Sequence, residues 1–458
     1  MCGVVGIIGH KEVAKLAYMG LYALQHRGEE SAGIVSYDGN KMHAHMGMGL
    51  VDDVFSESEI NSLKGDIAVG HVRYSTTGKS NVKNVQPFMI THKKNRIAIA
   101  HNGNFTNTAE LHKSLEEKGS IFHTAVDTEI IAHLLAKSSN KDKQQKLKEV
   151  FTQIEGSYSV VLMLDDTLVG VRDPYGFRPL CIGKLDNAYV LASETCALDL
   201  IQAEYVRDIE PGEIVLIDRK GNIDSIKPFN DVKHSLCIFE YIYFARPDSN
   251  IFGENVYLTR KRLGKELAGE CPVSCDFVMP IPDSGNYAAL GFAEESRSPF
   301  EIALIRNHYV GRTFIQPSQF IRDFRVKVKL NPIRDVLKGK RVVVVEDSIV
   351  RGTTSKIRVK TLREAGAKEV HMRISCPPIK FPCFYGIDFP TKKELIASNH
   401  SIDSIKSFIG ADSLEYLSKD KMLEAMPLPE CEFCTACFDG VYPIKPCRKT
   451  GKGVLERN

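Results

Sequence analysis

The stretch RVVVVEDSIVRGTTSKIRVKTLREAGA, residues 341–367, decides how the second half of this chain folds. Residues 342–345 are an unbroken valine run, the composition of a parallel strand buried on both faces. Two acids, Glu346 and Asp347, stand at its carboxyl end, where open α/β sheets bind ligands. The loop 348–355 follows, with hydroxyls at Ser348, Thr353, Thr354 and Ser355, a cation at Arg351 and a glycine at Gly352. A helix is expected to start near Thr353, so backbone N–H groups and the helix N-terminus converge on one pocket suited to a phosphate. The acids suit the 2- and 3-hydroxyls of a ribose, or a Mg²⁺ ion bridging ribose and pyrophosphate oxygens. Each feature alone is more often a strand end with solvated acids and an N-capping threonine. Their order within one stretch favours the ligand site. A Walker A loop is excluded, since no G-x-x-x-x-G-K-S/T is present.

A second strand end, FVMPIPDSG (277–285), supplies Asp283, Ser284 and Gly285 in a tight turn. Its backbone suits a pyrophosphate and Ser284 can reach a metal, although Pro-Asp-Ser-Gly is also a generic turn. The basic run 306–332 reads either as a cover whose Arg and Lys residues, Lys329 among them, close over phosphates, or as a solvated alternating strand at RVKVKL. Helical segments at 286–295 and 353–367 alternate with the apolar strands, the pattern of βαβ units and a parallel sheet. These pieces resemble the type I phosphoribosyltransferases. The resemblance implies 5-phosphoribosyl 1-pyrophosphate (PRPP) as substrate.

Upstream the texture differs. The first ~230 residues hold many short β-like runs, among them VVGIIG, SAGIVSYDG, GDIAVGHVRYST, NRIAIAHNGN, SYSVVLMLDD and EIVLID, with helical patterns at 13–26 and 128–137. The mixture predicts helices layered on largely antiparallel sheets. The division is expected near residue 231, giving domains 2–230 and 231–458. The charged run 140–149 reads as a solvated helix face.

At 458 residues, with 26% charged and 43% hydrophobic content, the chain is an ordinary globular protein of two or three domains. A formal charge of +3 argues for neither a nucleic-acid nor a membrane partner. No apolar run approaches the ~20 residues needed to span a bilayer, and the N-terminus lacks a secretory signature. A cytoplasmic location is expected. Twelve cysteines in a reducing compartment suggest metal or catalysis, not a disulfide framework.

The chain begins MCGVVGIIGH. Removal of Met1 would leave Cys2 with a free α-amino group titrating near ~7.7–8.0, so one residue supplies both nucleophile and general base. In HNGNF (101–105), the Asn102 side-chain amide and the Gly103 N–H make a two-donor oxyanion hole. Arg73 offers a fork for an α-carboxylate, and Asp127 can receive an α-ammonium. Thiol, oxyanion hole and one charge of each sign suit glutamine. His71 and His101 are expected to be structural.

MCGVVGIIGH, LYALQHRGEESAG, GHVRYSTTG, AHNGN and DTEI resemble the class II glutamine amidotransferases, whose N-terminal nucleophile fold is a layered αββα domain. The resemblance implies Cys2 as nucleophile, Asn102 and Gly103 for the oxyanion, Arg73 and Asp127 for glutamine, and Arg27 in support of that set. Such a domain followed by a PRPP-binding one resembles the glutamine phosphoribosylpyrophosphate amidotransferases, over nearly the whole chain. That family implies synthesis of 5-phosphoribosylamine, glutamate and pyrophosphate, the committed step of purine synthesis. It also implies a homotetramer, feedback by purine nucleotides such as AMP and GMP, and ammonia carried through a closed passage formed when 306–332 covers PRPP. Mg²⁺ held by Ser284, Glu346 and Asp347 would offset the pyrophosphate charge.

CEFCTACF (431–438) has C-x₂-C-x₂-C spacing, with Cys447 as the nearest fourth ligand. By residue type it suits zinc, an iron–sulfur cluster or tail cysteines alone. The iron–sulfur branch of the family implies a 4Fe–4S cluster on Cys237, Cys383, Cys434 and Cys437, with Cys431 an extra and zinc the main rival. Cys181, Cys196, Cys271 and Cys275 read as buried or incidental. Two rival functions remain: another class II amidotransferase, such as a glucosamine-phosphate synthase or asparagine synthetase, and a non-catalytic PRPP-sensing regulator. The 342–355 stretch opposes the first, and the thiol terminus opposes the second.

Overall fold

The computed structural model describes residues 1–74, 80–92, 95–230, 232–307, 330–389 and 391–445. Lys329, most of the basic run 306–332 and Cys447 lie outside the described residues.

The first half stacks two antiparallel sheets. One has seven strands and runs Glu204–Asp208, Cys181–Leu185, Ala188–Ala192, Gly3–Ile8, Ile67–Arg73, Ser31–Tyr37, Met42–Met48. The other has six and runs Ile223–Ile226, Ile214–Asp218, Thr167–Arg172, Gly156–Leu164, Asn95–Phe105, Phe88–His92. Period-2 alternation sorts each strand between two cores. In Gly3–Ile8, Val5 and Ile7 face outward, into the core shared with the helices Val13–Ala23 and Thr195–Leu200. Val4 and Ile8 point inward, between the sheets. The strand Asn95–Phe105 mirrors this: Ile97 and Ile99 pack with the helix Thr128–Lys137, while Ala98 and Ala100 face the other sheet. The result is the αββα layering expected from the sequence. Each fully buried Val or Ile contributes about 1.5–3 kcal/mol.

The second half carries a parallel sheet in the order Phe277–Pro280, Arg341–Glu346, Glu369–Ile374, Ser413–Tyr416. Val342–Val345 are fully buried, as a central parallel strand requires. Its register sets Pro280 opposite Val345, so the ends carrying the 282–285 and 347–352 loops lie side by side. The helix after the central strand spans Thr353–Glu364, three residues shorter than its sequence pattern suggests, because Gly366 turns with φ +102°.

Two features join the halves. Leu236–Cys237 pairs in parallel with Phe433–Cys434, setting Cys237 opposite Cys434. A π-helical turn, Glu240–Phe244, follows at once and sends the buried Glu240 back toward the first half. The C-terminal segment is fastened to the same place: Lys380 and Phe381 N–H groups both reach the Cys437 carbonyl at 3.0 Å.

The helices Val256–Glu270 and Asn286–Ser296 pack backbone to backbone, and the second of them positions the 282–285 loop. A Cβ on Gly291 would lie 1.9 Å from the Lys261 carbonyl oxygen, whereas one on Gly269 would meet nothing within 4 Å. Gly291→Ala should therefore destabilise the protein by about 1–3 kcal/mol through overpacking. Gly269→Ala should be neutral or stabilise it by up to about 1 kcal/mol. Thermal unfolding of the two variants checks the pair.

Candidate active site

Cys2 sits at the end of the opening strand, 7% exposed. Its backbone N–H donates to Asn102 Oδ1 at 3.1 Å, its carbonyl accepts from Arg27 Nε at 2.9 Å, and its thiol lies 3.5 Å from the Tyr74 carbonyl. Because Oδ1 of Asn102 is taken by Cys2, the amide nitrogen Nδ2 is turned away from it. That nitrogen is buried without an acceptor among the described residues. An unsatisfied buried donor costs about 1–3 kcal/mol, so one on the residue that holds the Cys2 nitrogen is a ready site for a developing oxyanion. Gly103 follows at φ +150°, and a Cβ there would lie 2.0 Å from the Ser157 carbonyl oxygen, so only glycine fits.

Arg73 is 2% exposed and its charge acts on the Cys2 thiol; Nη1 is 3.6 Å from Glu30, an acid that the motifs had not singled out. Asp127 accepts the Phe105 N–H at 3.1 Å, two residues past Gly103, and stands 3.3 Å from His101 Nδ1. His71 Nε2 donates to the His101 carbonyl at 3.1 Å and, with its pKa pushed down to about 3 by burial, stays neutral. Arg27 is the departure from expectation. Grouped with the glutamine residues by its motif, it stands instead behind Cys2, with its fork committed to Glu194 and Glu240.

Burial pushes the Cys2 thiol pKa up, while the neighbouring α-amine pulls it down. The Met1 amine is itself pushed down to about 5, chiefly by burial. Met1 packs into the apolar core of the second half.

A cavity of about 800 Å³ lies between the halves. His26, Glu29 and Tyr74 line it from the first half. From the second come Asp283, Ser284, Glu346, Asp347, Ser348 and the turn and helix start Arg351–Ser355. Gly285 is adjacent, as N-cap of the helix Asn286–Ser296. Gly352 takes φ +75° at the start of Thr353–Glu364, a left-handed turn that points the helix N-terminus at the cavity loop. Asp347 is buried, accepts from Ser348 at 2.6 Å and bonds Ser284; burial raises its pKa, with the two hydroxyls opposing. Glu346 is already engaged by Arg358 and by Ser355 at 3.1 Å, and Arg306 pairs with Asp283. Arg351 is held by Glu394 at 2.8 Å. Arg306 on this wall belongs to the basic run read as a cover; Arg358, Arg260 and Tyr243 also line it and were not singled out by the sequence.

Cys237, Cys383, Cys434 and Cys437 line one small second cavity with Phe177, Tyr385 and Tyr442, and Cys431 is exposed outside it. Burial pushes Cys237 up to about 11 and Cys434 and Cys437 further. Among the described residues no three His, Cys, Asp or Glu side chains close around a single ion position. No described helix is long and apolar enough to cross a membrane.

Residues 71–200 match the family model of the glutamine amidotransferase domain. An amidophosphoribosyltransferase of Bacillus subtilis (strain 168) is 49% identical over 449 residues, 97% of this chain and 94% of that protein. The chloroplastic amidophosphoribosyltransferase of Glycine max is 52% identical over 447 residues, 97% of this chain and 78% of its own length. A solved structure of "the allosteric regulatory enzyme of purine biosynthesis" superposes with a TM-score of 0.94 at 48% identity, covering 100% of this chain and 99% of that one. The B. subtilis glutamine PRPP amidotransferase complexed with ADP and GMP gives 0.93 at 47% identity, covering 99% of this chain and all of that one.

The raised pKa of Asp347 gives a test of the cavity's electrostatics. A carboxyl whose folded pKa exceeds its unfolded value favours folding at low pH, and that contribution is lost as pH rises. Asp347→Asn should therefore melt higher than the wild type near pH ~7 without divalent metal, and the gap should narrow as pH falls toward the ordinary Asp pKa of about 3.9. Parallel melting curves across that range check it.

Proposed function

This chain belongs to the amidophosphoribosyltransferase family, and on that premise we propose that its two halves perform one transfer. Residues 2–230 release ammonia from glutamine, and residues 231–458 deliver it to C1 of PRPP, yielding 5-phosphoribosylamine, glutamate and pyrophosphate at the start of purine synthesis. The observation that carries this reading is the shared cavity: Tyr74, whose carbonyl meets the Cys2 thiol, also lines the wall facing Asp347 and the 351–355 loop.

Once Met1 is removed, the freed amine of Cys2 takes the thiol proton and the thiolate attacks the glutamine side-chain carbonyl. Asn102 Nδ2 and the Gly103 N–H stabilise the resulting oxyanion, and Arg73 and Asp127 hold the α-carboxylate and α-ammonium. The amine then returns its proton to the departing ammonia, and water hydrolyses the thioester. In the second half the loop Arg351–Ser355 binds the 5-phosphate, the 283–285 turn faces the pyrophosphate, and Glu346 and Asp347 hold the ribose hydroxyls.

Mg²⁺ fits the hard oxygen donors of Asp347 and Ser284, and when bound it offsets the pyrophosphate charge. Glu346 can join them only by releasing Arg358 or Ser355. For the cysteine cavity we favour a 4Fe–4S cluster over zinc. Four thiols around one apolar space suit a cluster, which spreads its ligands over several irons and needs no single ion position. Such a group would tie the C-terminal segment to the junction, adding to the hydrogen bonds already there. Feedback by purine nucleotides such as AMP and GMP is supported by the B. subtilis structure holding ADP and GMP. A cytoplasmic homotetramer completes the reading.

An assay of glutamine-dependent, PRPP-stimulated pyrophosphate release tests the function directly. Cys2→Ala should abolish that activity and spare synthesis from high ammonia, and Asn102→Ala should lower glutamine-dependent kcat by about 10²–10³-fold. Retained glutamine-dependent synthesis in Cys2→Ala would sink the mechanism. Iron and sulfide analysis of anaerobically purified protein should find both elements; zinc without sulfide would refute the cluster.

A further inference from the structure

Between Cys2 and the cysteine cavity runs a continuous path of buried charge, and we propose that Arg178 is a positioning residue through which the group in that cavity sets the reactivity of Cys2. This rests on the iron–sulfur reading above. Arg27, Glu194, Glu240 and Arg178 are all 1% exposed or less. Arg178 Nη2 donates to the Tyr385 carbonyl at 2.5 Å, and the Tyr385 N–H donates to Cys383 Sγ at 3.3 Å. The residue before it, Phe177, accepts the Cys237 N–H at 3.1 Å. Arg178 is therefore pinned to the segments that carry two of the four cysteines.

Its other end meets the glutaminase side. Nη1 is 3.3 Å from Glu240 Oε1, and the same oxygen accepts Arg27 Nη2 at 2.9 Å. Glu240 Oε2 accepts Arg27 Nη1 at 3.1 Å, and Arg27 Nε closes the path on the Cys2 carbonyl at 2.9 Å. Two guanidiniums thus share one carboxylate oxygen. The charge of Arg178 is also felt at Cys237 and Cys383, and its Nε is buried without an acceptor among the described residues. The net negative charge of a loaded cysteine site holds Arg178 in place, and Arg178 in turn keeps Glu240 seated against Arg27, which holds the Cys2 carbonyl. With Arg178 lost or displaced, Glu240 relaxes away from Arg27 and the hold on Cys2 weakens.

Loaded wild-type, Arg178→Gln and Arg178→Lys enzymes are compared by two readouts. One is the midpoint potential of the cluster; the other is the rate at which a diazoketone analogue of glutamine labels Cys2, read by mass spectrometry. Ammonia-dependent synthesis serves as the control for folding and should be unchanged. Arg178→Gln removes a positive charge, so its potential should fall and labelling should slow by about fivefold or more. Arg178→Lys keeps the charge and loses the fork, so its potential should stay near wild type while labelling still slows. Wild-type labelling in either variant, or an unmoved potential in Arg178→Gln, overturns the proposal. Should Arg178→Gln fail to fold or load, Arg178→Lys alone decides. Wild-type protein lacking iron and sulfide would overturn the cluster reading itself, and the coupling with it.

Discussion

The hydrogen bond from the Cys2 backbone nitrogen to Asn102 Oδ1, 3.1 Å long, is the contact on which the rest of the site depends. It joins the start of the middle strand of one sheet to an inner strand of the other, so it exists only because the two sheets pack face to face. Small side chains make that packing close: Ala98 and Ala100 face Val4 and Ile8 across the core. The bond also decides which way the Asn102 amide points. With Oδ1 occupied, Nδ2 is left as a buried donor without an acceptor among the described residues, which is the state an oxyanion hole needs before substrate arrives.

A second constraint is charge balance at the junction. Arg27 and Arg178 enter the interior with Glu194 and Glu240, two cations and two anions in one dry cluster. Removing any one member would strand a partner, a loss of about 3–5 kcal/mol for a buried pair. Such a cluster is costly to assemble and gives the two halves one relative register. The same register sets Tyr74 and His26 against the phosphate loop, so the cavity belongs to both halves.

Much of this was legible in the sequence where the chemistry is local. The valine strand, acid pair, hydroxyl loop and helix of 341–367 occur in order, and the structure keeps that order. The period-2 runs of the first half became its strands, and the helix 128–137 matched to the residue. What could not be read depends on contacts between distant residues. Glu240 lies 213 residues from Arg27 and 62 from Arg178, and nothing in its own stretch says that it reaches either. Arg27 was grouped with the substrate residues because its motif says nothing of where its fork points. Cysteine spacing alone would have recruited Cys431, which is exposed; the pairing of Leu236–Cys237 with Phe433–Cys434 brings Cys237 to the cavity instead. Arg358 on Glu346 was likewise invisible, since its helical position is a polar face in the pattern.

The central claim is that ammonia released at Cys2 reaches the second site without entering solvent. The most direct measurement supplies unlabelled glutamine with isotopically labelled ammonium in the buffer and determines the label in 5-phosphoribosylamine by mass spectrometry. The account predicts product nitrogen drawn from glutamine, with the label nearly absent while glutamine is saturating. Product carrying label in proportion to the free ammonium would contradict it.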